Sequence, residues 1–229
     1  HGFSLSEEGI RSPRDLQTLW QADDAGGIRL SGNKGWVPLP EHCEAYFVVC
    51  RASGQDGALS VMRMPATADG VSMSPRNPAA FMPELPAARM QLQDVVLDAS
   101  AMLPGDGWTD YARPFGALEE LYVSVALMGY LLREGRARGW PRSFLEGLTA
   151  SLTGLAAVAA QPADAPATHI ALAGALARTN DLYQQADALW AGEQDAAAER
   201  WRRDRPLFQV AGKPRALRAQ RAWETVELN

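Results

Sequence analysis

"RMQLQDVVLDASAMLPGDGW", residues 89–108, holds the one change of texture in the chain. Its first half alternates. Met90, Leu92 and then Val96 stand against Arg89, Gln91 and Gln93, the period of two that gives a strand one wet face. Its second half ends in "PGDGW", where Pro and Gly stop any regular element. Upstream, from Ile28 to Leu97, short segments rich in Val, Met and Phe are parted by Gly, Pro and Asn: "GIRLSG", "AYFVVCR", "GALSVMRM", "GVSMS". That pattern predicts an antiparallel β-domain. The prolines at 75, 78, 83 and 86 predict a long loop from Ser74 to Pro86, and loops of that length often carry function or contacts.

Downstream the chain is Ala- and Leu-rich to its end. Leu118, Leu121, Tyr122, Val125, Met128 and Leu132 fall at helical spacing, predicting a helix from Pro114 to about Arg138. Further helices are predicted over residues 141–160, 166–191, 193–205 and 213–227, broken at prolines and glycines. The expected architecture is α+β and multidomain: a β-domain over residues 1–110, then a C-terminal four-helix-type bundle over 111–229.

At 229 residues and 47% hydrophobic content the chain can bury a real core. A net charge of -5 argues against nucleic acid or an anionic membrane as the main partner, because the long-range field repels both. Basic residues nonetheless concentrate near the end, from Arg200 to Arg221. Two cysteines, Cys43 and Cys50, make no disulfide scaffold and fit a reducing cytoplasm. Three scattered histidines give no metal-ligand spacing, so no metal is expected. No apolar run approaches the roughly 18 residues of a bilayer span, so no membrane segment is expected. The start at His1 has no leader pattern and reads as a cut or tagged end, with a longer native chain expected.

Five segments in order, "SLSEEGIRS", "GGIRLSGNKGWVP", "AYFVVCRA", "LQDVVLDASAMLPGDG" and "ERWRRDRPLF", resemble the acyl-CoA dehydrogenase family of flavoproteins. That family has an N-terminal helical domain, a middle β-domain and a C-terminal bundle, and only the last two have counterparts here. The resemblance implies a flavin, FAD, and an acyl-CoA-type substrate oxidised at its α,β carbons, in fatty acid metabolism. It also implies a homo-oligomer or a complementary subunit.

Residue by residue, the resemblance assigns Trp36 to the aromatic that lies against the flavin, with Gly32 and Lys34 matching beside it. The following hydroxyl position is Pro38, which has no donor. Ser6 and Ser12 keep hydroxyls where the family meets flavin and thioester, and Glu7 keeps a carboxylate. Arg138, with Arg142, stands near the place of an arginine that reaches a flavin pyrophosphate, though no Phe-Gly follows, and the later glycine pair is reduced to Gly192.

The reaction needs a base for the α-proton, and a partly buried glutamate suits that role. The family's usual position holds Ala211 or Gly212. The isovaleryl-type branch instead places its base on the first bundle helix, ten residues before a glycine. Glu119 stands so before Gly129, and Glu120 falls where the family usually has arginine. Acids early in a helix also favour the macrodipole and face water. Two readings follow: a flavin-dependent oxidoreductase with Glu119 as catalytic base, or a catalytically degenerate subunit that keeps the fold for assembly or for holding an acyl thioester.

Overall fold

Strand β4, Ala45–Ala52, is the spine of the first half of the molecule. In the computed structural model, which describes residues 1–10, 12–54, 58–76, 81–209 and 212–227, the chain divides into two compact units, His1–Arg113 and Pro114–Asn229.

Strand β4 reads as a nearly unbroken apolar run because it is covered on both faces. Tyr46, Val48 and Cys50 enter one core with Leu30, Val37, Met62 and Met90. Val49 enters a second with Leu16, Leu59 and Val61. Both edges of β4 are also paired. Strand β5, Leu59–Pro65, runs antiparallel along one, while β1, Gly2–Ser4, and β2, Leu19–Ala22, pair parallel with it. The sheet continues from β2 to β3, Ile28–Pro38, then β7, Ala87–Leu97, and β6, Val71–Pro75. It is a mixed sheet: antiparallel apart from the two parallel pairings on β4.

Two details depart from the simple reading of the sequence. Val96 does not share a face with Met90 and Leu92. It is exposed, and Val95 and Leu97 are buried instead. Asp94 is the cause. It sits at φ 50°, with its N–H donating to Ser31 Oγ at 3.1 Å, and this irregularity shifts the alternation by one residue. The expected long loop is also shorter, because β6 runs to Pro75; Pro78 lies outside the described residues.

The second unit is helical: α1, Arg113–Arg138; α2, Arg142–Ala159; α3, Pro166–Ala191; α4, Ala196–Asp204; and α5, Gly212–Glu227. A wide π turn, Gly107–Ala112, leads into α1, with the Asp106 carboxylate accepting from the Trp108 and Thr109 N–H groups. Gly107 permits this turn, since a Cβ there would stand 2.7 Å from the carbonyl carbon of Leu59. The bundle core joins Leu121, Met128, Leu131, Leu148, Leu155 and Leu176 to an aromatic group. In that group Trp140 meets Trp190 edge-on, with centroids 5.0 Å apart. Contrary to the expectation that no apolar run approaches a span, the segment 107–138 is long and apolar enough, by length and composition, to cross a membrane. Its buried Leu121, Met128 and Leu131 pack in the bundle core.

Candidate functional site

In the β-unit, the residues around Trp36 form one patch built on the Ser6–Glu8 loop. Gly32 sets the local backbone: it lies at φ 149°, and a Cβ there would stand 2.5 Å from Thr18 Cα. Lys34 then turns inward. Its side chain has no exposure, and Nζ donates to Glu7 Oε1 at 2.7 Å, to the Val49 carbonyl at 2.6 Å and to that of Leu5 at 3.4 Å. Glu7 also accepts from the Thr18 hydroxyl at 2.6 Å and from the Gln17 and Thr18 N–H groups. Burial alone would raise the Glu7 carboxyl, but the Lys34 charge and these hydrogen bonds together bring it below the ordinary glutamate value. Burial lowers the Lys34 pKa, with Glu7 acting against that shift. The Lys34–Glu7 pair therefore fastens the loop to β3.

The same loop continues over Trp36. The Ser6 carbonyl accepts from the Gly35 N–H at 2.8 Å. Arg76, paired with Glu8 at 2.7 Å and donating to the Gly35 carbonyl, lies over the Trp36 ring at 5.1 Å. Trp36 is half-buried and Ser6 is exposed. Ser12 belongs to the same loop region, but its hydroxyl accepts from the Arg14 N–H at 3.2 Å in a capping box with Asp15. Pro38 closes β3 opposite Ala87.

In the helical unit, Glu119 and Arg138 sit near opposite ends of α1, roughly 28 Å apart along its axis. Arg138 is engaged internally. Its guanidinium contacts Asp195 at 2.7 Å and Glu193 and Glu134 at 3.2 Å each, and lies 4.6 Å from the Trp190 ring centre. It thus ties the end of α1 to the turn before α4. Glu119 borders a cavity of about 190 Å3 whose walls come from α1, α3, α5 and the short 3-10 helix Arg205–Gln209. The residue as a whole is exposed, yet desolvation, aided by the neighbouring Glu120 carboxylate, raises its pKa above the ordinary glutamate value.

Glu120 behaves oppositely. It is buried and paired with both Arg215, at 2.6 Å, and Arg218 of α5. The sequence alone gave no sign of this pairing. Tyr183, on α3, was also unforeseen. It lines the same cavity with 5% exposure, its hydroxyl beside those of Ser124 and Thr179. Of the residues at the usual base position, Ala211 lies outside the described residues and Gly212 heads α5.

Solved structures identify the architecture. A butyryl-CoA dehydrogenase from Megasphaera elsdenii superposes over 97% of this chain and 67% of its own, at 14% identity and a TM-score of 0.73. The chain has the acyl-CoA dehydrogenase fold.

TdsC from Paenibacillus sp. A11-2, solved with FMN and indole, shares that fold at a TM-score of 0.75 and 14% identity, over 96% of this chain and 68% of that one. A glutaryl-CoA dehydrogenase from Mycobacterium smegmatis, in complex with FADH2, matches 97% of this chain and 65% of its own, at 15% identity and a TM-score of 0.59. The chain thus spans about two thirds of the length of these acyl-CoA dehydrogenase-fold structures. No family model matches the sequence, and no curated protein does.

Of the residues the resemblance assigns to a flavin, Trp36 is half-buried with the Arg76 guanidinium over its ring, and Ser6 is exposed. The Ser12 hydroxyl and the Arg138 guanidinium are already engaged within the chain.

Proposed function

We propose that the chain serves in a flavin-dependent oxidoreductase acting on the α,β carbons of an acyl thioester. The carrying observation is Glu119: a carboxyl of raised proton affinity, bordering a cavity on the first bundle helix of an acyl-CoA dehydrogenase fold. In this reading Glu119 takes the α-proton, which a carboxylate of raised pKa does more readily than a fully solvated one. Trp36 and Ser6 hold the flavin, FAD, which supplies the hydride acceptor. A homo-oligomer or a complementary subunit belongs to the same reading.

The test is a visible absorption spectrum of the purified protein with and without FAD or FMN. The expected result is flavin bands that stay with the protein through gel filtration. A colourless protein that retains neither flavin refutes the proposal. Where turnover with an acyl-CoA panel is measurable, Glu119→Gln is expected to lower it by about 100-fold or more. Unchanged turnover removes Glu119 as base.

A second reading rests on a specific observation. Ser12 caps a turn, Arg138 is clasped by three acids, and Pro38 offers no donor. These three commitments favour a catalytically degenerate subunit with an assembly or acyl-thioester-binding role. Its signature is acyl-CoA binding without flavin.

A further inference from the structure

A salt-bridged strap crosses the ring of Trp36, and the sheet is distorted where it does so. Lys34 pairs with Met90 and Val37 with Ala88, so Gly35 and Trp36 both stand opposite Arg89, a bulge at the indole. Glu8 runs across this bulge. A Cβ on Gly35 would stand 2.9 Å from Glu8 Cγ, so the missing side chain lets the glutamate lie this close. Glu8 Oε1 accepts from Arg76 Nη1 at 2.7 Å and from Arg89 Nε at 2.9 Å, and Arg76 Nη1 donates also to the Gly35 carbonyl at 2.7 Å. The Arg76 guanidinium is thereby held over the Trp36 ring, 5.1 Å from its centre.

The three charged groups are anchored unequally. Arg89 lies within β7, and the Arg76 N–H donates to the Ala87 carbonyl at 2.9 Å, so both backbones belong to the sheet. Glu8 stands instead in a turn, between the clasped Glu7 and Gly9 at φ 80°. Its side chain is 56% exposed. An ion pair that open to water holds its partners weakly. Glu8 can leave the arginines by side-chain rotation alone, while Glu7 keeps the loop fastened to β3.

We infer that Glu8 and Arg76 form a strap that closes one face of Trp36 and swings off to admit a planar ring. For what enters, an isoalloxazine, the inference rests on the flavin reading above; the strap itself stands on the β-unit alone. Ring and guanidinium compete for the same face, so the strap weakens binding until it opens.

The test has two arms, both on the full chain. In the first, with no flavin present, hydroxyl-radical labelling of Trp36 is read peptide by peptide. Arg76→Gln is expected to raise it about two- to five-fold, the worth of one exposed cation–π contact. Glu8→Gln is expected to raise it less, because the Gly35 carbonyl still holds Arg76. Unaltered protein in 1 M salt is expected to approach Glu8→Gln, while Arg76→Gln does not respond to salt. In the second arm lumiflavin, an uncharged isoalloxazine with no phosphate to draw the arginines, is titrated by fluorescence. Arg76→Gln is expected to bind it about two- to five-fold more tightly than wild type. Labelling that does not rise in Arg76→Gln overturns the strap. So does a lumiflavin affinity that is unchanged or falls in that variant, since Arg76 then does not compete for the ring. If labelling rises and lumiflavin binds none of the proteins, the strap stands and the flavin reading fails.

Discussion

Replacing Lys34 with methionine tests the clasp beneath Trp36. The substitution keeps the length of the side chain and removes its charge. It leaves the Glu7 carboxylate, 4% exposed, with donors from Thr18 and Gln17 but no cation, and it deprives the Val49 carbonyl of its 2.6 Å donor. Removing one partner of a buried pair costs about 3–5 kcal/mol, mostly because the remaining charge is stranded. Glu7→Gln strands the ammonium instead. The double variant strands neither, so a cycle of the three is expected to show a coupling of about 2–3 kcal/mol. The assay is urea unfolding with pulsed hydrogen exchange on peptides from β3 and β4, which reads the β-unit alone. Acid supplies an independent arm. In wild type, the Glu7 pKa is depressed, so its stabilisation is present at neutral pH and fades as pH falls through that depressed value. In Lys34→Met the chief lowering influence is gone and burial dominates, so protonating Glu7 relieves the variant. The gap between the two proteins is expected to narrow from pH 7 to pH 5. A cost under about 1 kcal/mol, or a gap that widens in acid, refutes the clasp as the cause of this segment's stability.

Two further outcomes are expected. Gly32→Ala places a Cβ 2.5 Å from Thr18 Cα at φ 149° and is expected to cost more than about 1 kcal/mol in the same exchange assay. Arg138→Ala leaves Glu134, Glu193 and Asp195 clustered and uncovers Trp190. A loss of about 1–3 kcal/mol is expected by thermal or urea melting, shrinking in 1 M salt as the acids are screened.

The sequence showed the elements whose hydrophobic period is long. Helix α3 begins at Pro166 and ends at Ala191, as the spacing of its leucines and the flanking prolines predict. Strands β1 and β2 were invisible because three or four residues carry no period; β1 finds its partner β4 far along the chain, while β2 forms a hairpin with β3. The resemblance assigns Ser12 to a flavin contact, although Ser-Pro-x-Asp is also a helix-start signature, and the cap is what forms. The buried state of Lys34 was not, because lysine is almost always exposed unless paired, and its partner lies 27 residues away. The cavity at Tyr183 was least legible. A void is set by how four separate segments fail to fill a volume, and no spacing along the chain records that.

The ion pairs of Glu120 bear on how the chain is made. Its described partners, Arg215 and Arg218, lie 95 and 98 residues downstream on the last helix. During synthesis from the N-terminus, α1 emerges long before them. Throughout that interval the nascent bundle carries a carboxylate with no cation from α5, so α5 docks as a latch. A ribosome stalled before residue 215, or a protease cut in front of it, leaves a bundle marked as unfinished by its own unmatched charge.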